Sequence, residues 1–111
     1  MVGELGVGKT TFVQGIAHAL HIKRNVTSPT FTIFRKYKIP GGLNFLFHFD
    51  LYRIHDSHEL ERLGLSQIIS SPENIVCVEW ADRAKDFFPS STAWIRFQHG
   101  KTSDERIAVI E

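Results

Sequence analysis

Apolar positions recur at helical spacing early in the chain, at Phe12, Val13, Ile16, Ala17 and Leu20, with no proline before Pro29. This periodicity predicts an amphipathic helix from Thr10 to about His21. The pattern then changes. Pro29 disfavours helix at Ser28, and the β-branched and aromatic residues from Thr30 to Tyr37 predict a strand that Pro40, Gly41 and Gly42 end in a turn. LNFLFHFDLYR follows as a strand with an apolar body and a polar end at Asp50, so the two segments predict a hairpin. Asp56 and Glu59, before Leu60 and Leu63, match a helix N-cap and its reciprocal partner, and Gly64 can close that short helix. NIVCVEW is a continuous apolar run, the pattern of a strand covered on both faces, and it ends at Glu79 and Trp80. TAWIRFQ and RIAVIE, separated by a polar turn around Gly100, predict two further strands. A helix, a hairpin, a second helix and more strands make one mixed α/β domain across residues 1–111.

Composition narrows this picture only a little. With 111 residues and 42% apolar content the chain is an ordinary globular domain, long enough to bury roughly two thirds of the surface it exposes when unfolded. A net charge of +1 gives no global basic field for non-specific nucleic-acid binding. The single cysteine, Cys77, excludes an internal disulfide and a multi-cysteine zinc cage and favours a reducing compartment. No apolar run approaches the roughly 20 residues of a membrane helix, and Met1 is not followed by a signal-peptide core, so a cytoplasmic protein without membrane contact is expected.

The chemistry begins in GELGVGKTTF, where Gly3, Gly8, Lys9 and Thr10 fit G-x-x-x-x-G-K-[ST]. Glycines let the backbone turn so that successive N–H groups face phosphate oxygens, and Gly6 adds another position without a side chain. Lys9 would reach the β- and γ-phosphates of a nucleotide, the Thr10 hydroxyl would ligate Mg²⁺, and the helix N-terminus would favour the same anion. The candidate nucleotide-binding residues are thus Gly3, Glu4, Leu5, Gly6, Val7, Gly8, Lys9, Thr10 and Thr11. A plain capping turn is the alternative, but fewer than about 1% of chains of this length would match the pattern by accident.

A phosphate loop needs carboxylates, and two stand at strand ends. Asp50 closes FLFHFD and Glu79 closes IVCVE, where an open α/β sheet presents its ligand crevice. Either can serve as the acidic group of the metal, or be a solvated strand end. Thr27, Ser28 and Thr30 form a hydroxyl-rich loop that reads equally as a turn or as a segment sensing the γ-phosphate.

GELGVGKTTF, VTSPTFTI, HFDLYR and VEWADR, in this order and spacing, resemble the bacterial TsaE (YjeE) family over residues 3–83. The resemblance implies a P-loop NTPase-like mixed sheet flanked by helices, here lacking the strand that precedes the loop. It also implies ATP and Mg²⁺ as cofactors and a weak ATPase activity that assists tRNA threonylcarbamoyladenosine formation with TsaD and TsaB. The sequence holds no base-reading motif, and direct and indirect contact with tRNA both stay open. By the same resemblance Lys9, Asp50 and Glu79 are the catalytic residues, and Thr10, Asp50 and Glu79 surround the metal. Asp50 would act through water, Glu79 as the Walker B type carboxylate. Trp80 would flank the nucleotide, or else cap a core strand. No arginine finger is evident: Arg53 and Arg83 are the nearest candidates, and each reads better as a surface or ion-pair residue.

Members of the family carry a few tens of residues before the loop, whereas Met1 and Val2 alone precede it here. The expectation is a chain truncated, or started late, that binds ATP poorly or folds marginally beside a longer form. Two rival functions remain: a small-molecule P-loop kinase, for which no lid-sized insertion is visible, and an inactive nucleotide-binding remnant. Elsewhere, His55 and His58 lack a third zinc ligand and read as exposed polar residues, and Cys77 reads as a core residue. Lys23, Arg24, Arg35, Lys36 and Lys38 beside Tyr37 read as a solvated face, or as a surface for tRNA or an acidic partner.

Overall fold

The computed structural model describes residues 9–24, 26, 34–42, 44–54, 56–102 and 105–110. Helix α1 runs over Lys9–Ala19 and buries Val13 and Ala17. It ends sooner than its periodicity predicts because His21 adopts a left-handed conformation, φ 63°. The Ile22 N–H then reaches back to the Ala17 carbonyl at 3.0 Å and the His21 N–H to His18, which satisfies two terminal carbonyls.

Strands β1 (Phe34–Lys38) and β2 (Phe45–Asp50) form the expected antiparallel hairpin, pairing Phe34 with Phe49 and Lys38 with Phe45. Residues 30–33 of the predicted first strand lie outside the described residues. Beyond β2 the chain crosses to β3 (Ile75–Glu79) through two short helices, α2 (Ser57–Arg62) and α3 (Leu65–Ser70). A crossover of this kind is what allows β3 to lie parallel to β2, giving a mixed sheet in the order β1-β2-β3. Asp56 is the predicted N-cap of α2, its Oδ1 accepting from the His58 N–H at 2.9 Å. Helix α3 has no counterpart in the sequence reading. Gly64, read as a terminator, is in the left-handed region, φ 77°, and joins the two helices.

Side chains alternate across the sheet and both faces are covered. Val13, Ala17, Tyr37, Leu46 and Cys77 pack on the α1 side, and Phe47, Phe49, Leu60, Leu65 and Ala84 on the other. Fully burying a side chain such as Phe49 or Leu60 contributes about 1.5–3 kcal/mol. A 3₁₀ segment, Ala81–Phe87, kinked at Ala84, closes the second face. Strands β4 (Ile95–His99) and β5 (Arg106–Ile110) pair antiparallel as a separate two-stranded sheet. Phe97 of β4 joins the first core, its ring meeting Phe12 edge-on at 5.6 Å. No described helix is long and apolar enough to cross a membrane.

Candidate functional site

The parallel register sets the site. It pairs Asp50 with Glu79 and His48 with Cys77, so His48 and Asp50 of β2 share the α1-covered face with Cys77 and Glu79 of β3. This face is apolar at the start of the strands and polar at their carboxyl ends. Helix α1 brings its first turn to those ends: the Thr10 hydroxyl donates to Glu79 Oε2 at 3.4 Å. The same oxygen is bonded by His48 Nε2, and both side chains are buried. Just past β2, the Leu51 N–H donates to the Glu79 carbonyl at 3.0 Å and the Tyr52 N–H to Asp50 Oδ1 at 2.9 Å, which extends the pairing and orients the Asp50 carboxylate.

Lys9 is buried with its ammonium 3.8 Å from the centre of the Trp80 ring. Burial pushes the Lys9 pKa below the ordinary lysine value, while the negative charges of Glu79, Asp50 and Asp82 act in the opposite direction. Trp80 sits in left-handed backbone, φ 59°, a conformation that costs a non-glycine residue on the order of 1–3 kcal/mol. Its indole lies against the Tyr52 ring at 5.1 Å. Strain of this size is tolerated where the surroundings over-determine the residue. Here the end of β3, the 3₁₀ segment, Tyr52 and Lys9 all do so.

Of the residues singled out from sequence, the structure therefore gathers Lys9, Thr10, Asp50, Glu79 and Trp80. Thr11 is exposed on α1. Gly3 to Gly8, Thr27 to Thr30 and His55 lie outside the described residues. His58 is exposed as expected and pairs with Asp56 at 2.8 Å. Cys77 is a core residue whose thiol pKa burial pushes up to about 11. Arg24, Arg35, Lys36 and Lys38 are exposed, with Arg24 over the Tyr37 ring and Lys36 over Phe45. Sequence reasoning missed His48, Tyr52 and Asp82. His48 carried a signal: it stands two residues before Asp50 in a strand, hence on the same face.

No group of three or more His, Cys, Asp or Glu residues able to hold a metal occurs among the described residues. Two carboxylates and a hydroxyl are instead the sparse hard-oxygen set that suits Mg²⁺, which keeps several waters and takes further ligands from phosphate. The donors present fit that ion.

A model of the family described as threonylcarbamoyl adenosine biosynthesis protein TsaE matches residues 1–108. Three curated proteins named tRNA threonylcarbamoyladenosine biosynthesis protein TsaE are similar to this chain. That of Haemophilus influenzae is 33% identical over 87% of this chain and 60% of its own length. That of Bacillus subtilis is 38% identical over 95% and 63%, and that of Aquifex aeolicus 44% over 75% and 56%. The chain thus spans about three fifths of the length of the curated relatives it matches. The crystal structure of YdiB from Bacillus subtilis superposes with a TM-score of 0.74 at 31% identity, covering 98% of this chain and 64% of that one. A match over nearly the whole chain, with a fold and identities to agree, leads to one conclusion: the chain belongs to the TsaE family.

Proposed function

We propose that the chain binds ATP with Mg²⁺ at the carboxyl ends of β2 and β3 and hydrolyses it slowly, in support of tRNA threonylcarbamoyladenosine biosynthesis together with TsaD and TsaB. The observation that carries the reading is the convergence of Lys9 and Thr10, from one turn of α1, on Glu79 and Asp50. The relatives' names support the pathway.

In this reading Lys9 supplies the positive charge for the phosphates. Its burial raises the value of that charge, because an ion drawn from water binds an opposite charge more strongly in low dielectric. The negative charges of Glu79, Asp50 and Asp82 oppose the lowering of the Lys9 pKa by desolvation. Thr10 would offer its hydroxyl oxygen to the ion, and Glu79 would support the ion or orient the attacking water. Asp50, with Oδ1 held by the Tyr52 N–H, acts from the second strand. Bound Mg²⁺ would neutralise charge on the transferring phosphoryl group. The residues thus work by positioning and by electrostatics.

Calorimetry with ATP·Mg²⁺, paired with phosphate-release assays, tests the reading. Lys9→Ala should weaken binding about tenfold to a hundredfold, as expected for loss of charge-assisted hydrogen bonds. Glu79→Gln should keep binding and lose turnover. A phosphorylated metabolite instead of free phosphate would point to a kinase, and ATP binding with no phosphate release would point to a nucleotide-responsive module.

A further inference from the structure

His48 is the anomaly of β2. FLFHFD is otherwise apolar up to its end, the position is fully buried, and an imidazole there costs desolvation that a leucine or phenylalanine would not. Among the described residues the ring reaches one charged group, Glu79, whose Oε2 contacts Nε2. Its other nitrogen, Nδ1, is buried with no hydrogen-bond partner among the described residues.

These two facts point to one tautomer. A bare Nε2 would set a lone pair against a carboxylate oxygen, which is repulsive, so Nε2 carries hydrogen. A second hydrogen on Nδ1 would be an orphaned buried donor, which folded proteins tolerate less than an under-used acceptor. We infer that His48, as its Nε2–H tautomer, is a positioning residue for Glu79, clamping Oε2 and leaving Oε1 for the work assigned to that carboxylate. Oε1 makes no hydrogen bond among the described residues. The strand gives the clamp its rigidity. β2 is the middle strand of the sheet, with Arg35 and Cys77 as the lateral partners of His48, so the ring stands on backbone fixed from both sides. Thr10, at 3.4 Å, is a weaker second hold on the same oxygen. What Glu79 does once positioned rests on the proposed ATPase reading; the hydrogen bond does not.

The test begins without nucleotide. Long-range proton–nitrogen spectra of the ¹⁵N-labelled chain should show His48 protonated at Nε2 and bare at Nδ1, with the Nε2 resonance moving in Glu79→Gln. The opposite tautomer, or a resonance indifferent to that substitution, overturns the inference. His48→Phe removes the donor and His48→Gln returns an N–H near the position of Nε2. The Phe variant should weaken Mn²⁺ binding in the presence of ADP about tenfold and lower kcat about tenfold, the scale of losing an outer-shell partner, with KM little changed. The Gln variant should recover most of both. A folded Phe variant equal to wild type, or a Gln variant as impaired as Phe, overturns the clamp in favour of mere bulk. Should the Phe variant not fold, His48→Asn, one carbon shorter than Gln, takes its place, and equality of the two amides is the overturning result. Wild-type chain that releases no phosphate would sink the ATPase reading alone, since the imidazole spectrum and Mn²⁺ affinity still decide the clamp.

Discussion

At the scale of single residues, Lys9 and Trp80 report on each other. The ammonium lies over the indole, so a phosphate that draws Lys9 away must change the surroundings of Trp80. In a Trp94→Phe background, ATP·Mg²⁺ should therefore shift Trp80 emission, and Lys9→Ala should both change the resting emission and abolish the shift. Unchanged emission at saturating ATP would show that the pair does not part. Cys77 gives a pH prediction. Its thiol pKa is raised to about 11 in the fold from an ordinary 9.0, so the folded state favours the neutral form. The unfolded chain ionises first on the alkaline side. The stabilisation is complete below pH 9.0 and fades as pH climbs toward about 11, on the order of 2–3 kcal/mol in all. Urea midpoints of wild type and Cys77→Ala, compared across that interval, should converge. Residue chemistry was partly legible in the sequence, since the spacing of Lys9 and Thr10 and the strand-end positions of Asp50 and Glu79 are local signals. His48 was legible only as far as its face, shared with Asp50 through the two-residue spacing; that it meets Glu79 is set by the register to β3.

At the scale of elements, the legible parts were those with a long period or a strong punctuation mark. Helix α1, the hairpin and β3 emerged from apolar spacing and from Pro40 to Gly42. Helix α3 and the 3₁₀ segment did not, being six and seven residues long, too short for a period to declare itself. Gly64 was read as closing the short helix, and it does end α2; that a second helix, α3, starts from it was not read. Its φ of 77° makes a testable point: a methyl group there meets nothing closer than the Gln67 side chain at 3.9 Å, so crowding is not at issue. Gly64→Ala should still destabilise by about 1–2 kcal/mol through backbone strain alone, read as a lower urea midpoint. Gly64→Asn, which tolerates that conformation better, should lose less. Equal losses would put the cost in the side chain.

At the scale of the whole molecule, the pairing order of strands was the least legible feature. The sequence offers β4 and β5 as neighbours across a turn, and they pair as a local hairpin; what it does not show is that this hairpin stays outside the β1-β2-β3 sheet. Their link to the core passes through Phe97, which is buried against Phe12. Phe97→Ala should cost about 3–5 kcal/mol, a large share of the stability of an ordinary domain, and lower the urea midpoint accordingly. A loss below 1 kcal/mol would mean the two-stranded sheet is an appendage. The rung that joins Asp50 to Glu79 has a different kind of consequence, one of lifetimes. Their stems are held apart by main-chain hydrogen bonds of a parallel ladder, continued by the Leu51 N–H to the Glu79 carbonyl. Such a rung opens only with the sheet, whereas Lys9 and Thr10 ride on the first turn of a helix, where fraying is local and frequent. Amide exchange should be slow at Phe49 and Val78 and fast at the start of α1, so the site comes apart from its cation side first and its acidic half outlives it.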